Sequence, residues 1–96
     1  MKYKVDVVRI RENSITLNGW ALGKSPESKV TFRVEDEHHQ PVKCKMVSTR
    51  RDDVSQIYFK KVIDREFGLI SSFLMRRGKS YWLLIRCDGR QAKIQI

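Results

Sequence analysis

Apolar and polar residues alternate with a period of two along almost the whole of this 96-residue chain. That spacing belongs to strands with one face toward a core and the other toward water, and it leaves little sequence for a long helix. Tyr3, Val5 and Val7 alternate with Lys2, Lys4 and Asp6. The parity then slips, because Val8 and Ile10 carry on the apolar face, and a β-bulge would absorb the slip. After the polar turn Arg11-Glu12-Asn13-Ser14, alternation resumes at Ile15, Leu17 and Gly19. Trp20 falls on the opposite parity, unless a bulge at Gly19 swings the indole inward.

Lys24 to Ser28 is a loop, since Pro26 removes a ladder donor and the serines offer local caps. Val30, Phe32 and Val34 then face one way, and Val42, Cys44 and Met46 do the same further on. These two segments read as a hairpin closed by a loop of about six residues. Ser48 to Asp53 is polar and charged. The stretch Val54 to Ile63 fits either a short strand (Ile57, Phe59, Ile63) or one helical turn (Val54, Ile57, Tyr58), and both readings stay open.

The last third has firmer punctuation. Gly68 to Met75 is mostly apolar around Ser71-Ser72, and Arg76 to Lys79 is a turn with Gly78 placed for positive φ. Tyr81, Leu83, Ile85 and Cys87 share one face of a strand, with Trp82, Leu84 and Arg86 on the other. Asp88-Gly89 signals a type I′ hairpin into Ala92, Ile94 and Ile96. About seven short strands predict an all-β fold, a two-sheet antiparallel β-sandwich of immunoglobulin-like size. A small OB-type barrel is the rival, although that fold usually carries a helix and none is evident.

Composition sets the class. Charged residues make up 32% of the chain and the hydrophobic set 41%, as in a globular domain, with one core expected over residues 1–96. No run of about 18 apolar residues exists to span a membrane, and Met1 to Asp6 lacks the apolar core of a signal peptide. The formal charge of +9 favours polyanionic partners. Yet the tightest basic runs are only the pairs Arg50-Arg51, Lys60-Lys61 and Arg76-Arg77, and most basic residues are expected on solvated faces.

Cys44 and Cys87 sit among apolar neighbours, where buried free thiols are the default; a bond between them is the alternative. With His38 and His39 they make four potential zinc ligands, but without any of the usual spacings, so no metal is expected. No cofactor is expected either, since the five glycines are scattered singly and form no phosphate loop. Asp52-Asp53 would point to opposite faces of an extended segment, and the chain offers no catalytic residue. Binding is the more natural work. Trp82 and Tyr58 are the candidate contact aromatics, with Arg76 and Arg77 supplying charge. A stand-alone basic nucleic-acid-binding β-domain is the alternative class, although the chain has no basic helix, RNP-like strand or zinc-finger spacing.

The string Ile15-Thr16-Leu17-Asn18-Gly19-Trp20-Ala21 resembles the Gly-Trp-Ala signature of small all-β accessory domains attached to bacterial glycosyltransferases that build cell-wall and capsular polysaccharides. The following acidic-ended strand is matched by Val30 to Asp36, and an Arg-x-Asp-Val element by Arg51-Asp52-Asp53-Val54. Gly68 matches the Gly-aromatic opening of a later strand, with Leu69 in place of the aromatic, and Tyr81 to Ile96 matches the closing hairpin. The resemblance implies a non-catalytic module of a larger nucleotide-sugar-dependent transferase, whose metal-binding Asp-x-Asp element is absent here. It also implies a cytoplasmic location, with the inner face of the cell membrane as a variant. The implied partners are the rest of the transferase chain and, beyond it, a glycan, a partner protein or an anionic membrane surface. The shared residues Gly19, Trp20, Ala21, Arg51, Asp53, Val54 and Gly68 read as structural. Gly19 would bulge so that Trp20 fills the sandwich centre, and an Arg51–Asp53 pair would fix a loop between the sheets with Val54 as its core anchor.

Overall fold

The computed structural model of the chain describes residues 1–96, apart from the side chains of residues 7–10. Seven strands form two antiparallel sheets. The first holds β1 (Lys2–Arg11), β2 (Ser14–Leu22), β5 (Gly68–Leu74) and β4 (Lys45–Thr49), in the order β1-β2-β5-β4. The second holds β3 (Val30–Asp36), β6 (Tyr81–Cys87) and β7 (Arg90–Gln95), in the order β3-β6-β7. One helix, α1 (Asp52–Phe59), lies between β4 and β5 in sequence. The strand orders are those of a constant-type immunoglobulin sandwich.

Alternation explains the layers. Ile15, Leu17 and Ala21 of β2, Leu69 and Phe73 of β5, and Tyr81, Leu83 and Ile85 of β6 point between the sheets, and all are buried in one cluster. Each such aliphatic side chain contributes about 1.5–3 kcal/mol on leaving water. Tyr81 also fixes the β5–β6 corner. Its hydroxyl accepts a hydrogen bond from the Arg76 N–H at 2.8 Å, and its ring packs 5.3 Å from Phe73. This is the tyrosine corner of immunoglobulin-type sandwiches. Two residues further on, where antibody domains carry a cysteine, stands the fully buried Leu83. Cys44 and Cys87 are both free.

The turns follow local chemistry. Asp88 and Gly89 take φ values of 53° and 72°, as the type I′ hairpin requires, and Gly78 sits at 79°. The ladder between β1 and β2 shifts register between Val7 and Arg9, where the parity of the sequence slips. The faces of Val8 and Ile10 lie outside the described residues.

Four local expectations need correction. The segments around Val34 and Val42 form no hairpin: β3 pairs with β6, and β4 pairs with β5 in the other sheet. The two segments meet only beside the turn, through a bridge from Glu35 to Pro41 and backbone hydrogen bonds from the Asp36 N–H to the Gln40 carbonyl at 3.0 Å and from the Val42 N–H to the Val34 carbonyl at 2.9 Å. Beyond that point the chain crosses between sheets, and strand structure restarts only at Lys45. Gly19 makes no bulge, because β2 runs in unbroken register with β1 and β5 through Gly19 and Trp20. Trp20 therefore stays on the outer face of its sheet. Finally, Asp52 and Asp53 open a helix, where their charge favours the N-terminal end of the dipole.

Candidate functional site

Trp20 is buried although it faces away from the sandwich centre, because α1 covers it. With Leu22, Val54 and Phe67 it forms a second apolar cluster, against which Phe59 and Ile63 pack. The Trp20 and Tyr58 rings lie 5.5 Å apart, and Lys2 Nζ stands 4.4 Å from the Tyr58 centroid. Sequence elements far apart in the chain meet here. Gly68 is the direct partner of both Trp20 and Thr49, and the Ala21 N–H donates to the Phe67 carbonyl at 3.1 Å. A Cβ on Gly68 would overlap Thr49 Oγ1 and come within 2.8 Å of Arg51 Cγ.

Arg51 closes the group at the start of α1. Its guanidinium donates from Nε and Nη2 to the two oxygens of Asp53, at 3.1 and 3.0 Å. The hydrogen bond holds the Asp53 carboxyl below its ordinary range and raises the Arg51 guanidinium. The pair fixes a connection between two strands of one sheet, not a loop between sheets, and Val54 anchors the cluster under α1, not the main core. Leu69, in place of an aromatic, is buried in the main core beside Ser71.

The four candidate contact residues do not converge. Tyr58 lies on α1, and Trp82 lies on the outer face of the three-stranded sheet. There Lys93 Nζ stands 5.2 Å from the Trp82 centroid, and the neighbouring Glu35, only 7% exposed, pairs with Arg33 Nε at 3.1 Å. Arg76 and Arg77 belong to the β5–β6 turn, at one end of the sandwich.

At that end the structure holds an open groove of about 880 Å³. Its cause is topological. The β4–β5 ladder ends at Lys45 opposite Ser72, yet β5 continues through Phe73 and Leu74, while the chain before Lys45 veers away to the other sheet. A wedge opens between them. Val42, Cys44, Phe73 and Met75 line its apolar part, and Lys43, Lys45, Arg76 and Lys79 its basic part. The one carboxylate lining it, Asp36, accepts the backbone N–H groups of His38 at 2.8 Å and Gln40 at 3.1 Å, and the Gln40 bond above all holds its pKa down. Sequence reading singled out Arg76 but missed Lys43, Lys45 and Lys79. In sequence Lys43 and Lys45 belong to one extended segment and Lys79 to the Arg76 turn, and the crossover brings the two stretches together.

Among the described residues, no group of three or more His, Cys, Asp or Glu side chains is placed to hold a metal ion. No helix among the described residues is long and apolar enough to cross a membrane. Comparison with protein families, curated proteins and solved structures finds no match to this chain.

Proposed function

We propose that this chain is a non-catalytic accessory module of a larger bacterial glycosyltransferase that builds cell-wall or capsular polysaccharide. It docks that enzyme through its surface, in the cytoplasm at the inner face of the membrane. The observation that carries the reading is the meeting of the signature residues. Trp20 and Val54 share one helix-covered apolar cluster, Gly68 is the direct strand partner of Trp20, and Arg51, packed against Gly68, pairs with Asp53 at its edge, so residues from three separated stretches of sequence meet at one place. A signature whose members jointly build one structural feature is what a family of modules would keep while its outer surfaces vary.

The test is the size of the natural gene product, read by immunoblot from the source cells. A product several times larger than this 11.4 kDa chain is expected. A product of this size alone would overturn the reading, and a nucleic-acid titration over a range of salt would then take its place.

A further inference from the structure

We infer that the wedge between the 42–45 segment and the end of β5 receives an extended acidic segment of a partner protein, which adds as a strand to the open edge of β5. The inference rests on the reading of the chain as a docking module, and it names the chemistry of what is docked. Phe73 and Leu74 pair with Ile15 and Ser14 on one side, but on the other they have no strand partner. An unpaired strand edge is a template for another extended chain, whose main-chain hydrogen bonds supply affinity while alternate side chains enter flanking pockets.

The lining selects the partner's charge. The chain crossover accounts for the gap itself, but it does not require four basic residues around that gap. Lys43, Lys45, Arg76 and Lys79 line one groove and enter none of the ion pairs among the described residues. Asp36 is already engaged by backbone N–H groups. Acidic side chains on an added strand would meet these basic groups, and intervening apolar ones would meet the partly exposed Val42, Cys44 and Met75. Leu74, 72% exposed, extends the apolar contact at the lip. An anionic lipid surface would use the charge but would leave the β5 edge unpaired.

The test uses the 96-residue chain and a fluorescein-labelled heptapeptide of alternating glutamate and valine, followed by anisotropy. Saturable binding is expected, weakened about tenfold or more in the double variant Lys45→Glu, Lys79→Glu, which is a loss of about 1.4 kcal/mol. Lys29→Glu, Lys61→Glu changes the net charge equally, away from the wedge, and should leave binding within about twofold. N-methylation of the peptide at alternate amides should abolish binding, and the Phe73 and Leu74 amide resonances should shift on addition of the unmethylated peptide. Four results would overturn the inference: no binding of the peptide, equal losses in the two double variants, undiminished binding of the methylated peptide, or binding to phosphatidylserine vesicles without binding to the peptide. Because the assay reads the isolated chain, it can fail while the gene product proves large, and the reverse.

Discussion

Trp20 and Gly68 are direct partners across β2 and β5, and the bareness of the glycine lets the chain from Thr49 to Arg51 close over the sheet beside the indole. A methyl at position 68 would overlap Thr49 Oγ1 and lie 3.1 Å from the Thr49 carbonyl oxygen. The backbone carbonyl cannot rotate away as a side chain would, so β4 and the start of α1 must shift. Gly68→Ala should therefore lower stability by about 1–3 kcal/mol in urea unfolding. A neutral result would mean that the strap over β5 is loosely held.

The Tyr81 hydroxyl tethers the β5–β6 corner through a single bond to the Arg76 N–H. Tyr81→Phe keeps the ring against Phe73 and removes only that bond. The expected loss is about 1–2 kcal/mol, with faster amide exchange at Arg76. Unchanged exchange there would show that the turn holds itself.

Much of the sandwich is legible in the sequence because burial on one face imposes a period of two, and β2, β3 and β6 show it plainly. Pairing is less legible. The expected hairpin between the Val34 and Val42 segments follows the habit of neighbours pairing, and it holds beside the turn as far as Val42 before the crossover ends it. Nothing in the alternation says that a strand will change sheets. Trp20 teaches a related point. Its parity placed it outside, its hydrophobicity argued for the inside, and both hold once α1 roofs the outer face. The 52–59 segment is too short and too mixed in pattern to declare itself as that roof. The wedge is illegible for the same reason, since the Lys43–Lys45 stretch meets the Arg76–Lys79 turn only through the crossover.

Asp88 joins the β6–β7 turn to the loop between β2 and β3, and this gives a pH dependence. Its Oδ2 accepts the Lys24 N–H at 2.8 Å and the Ser28 hydroxyl at 3.1 Å, with the Lys24 bond the main cause of a pKa below the ordinary 3.8. In the window between the lowered folded value and 3.8, the unfolded chain binds the proton and the folded chain does not, so stability rises with pH there. The contribution is complete above 3.8 and is lost as pH falls through the folded value. Asp36 and Asp53 are lowered too and act in the same direction. Thermal melts should show the melting temperature falling as pH drops from 3.8 through that window, with a smaller fall in Asp88→Asn. An equal fall in the variant would place the acid sensitivity elsewhere.

Ser71 points into the main core from β5, opposite Leu17 on one side and Met46 on the other. It is fully buried, and its hydroxyl is the one buried side-chain polar atom without a hydrogen-bond partner among the described residues. A hydroxyl taken out of water with no partner costs about 1–3 kcal/mol, which alanine at the same place would avoid. The substitution removes a single oxygen, so the cavity it leaves is small and offsets only part of that gain. Ser71→Ala should accordingly raise stability by about 0.5–1.5 kcal/mol, the opposite sign to a typical core truncation. Urea unfolding at neutral pH measures it, and a loss of stability of that size would show that the Ser71 hydroxyl is satisfied in solution.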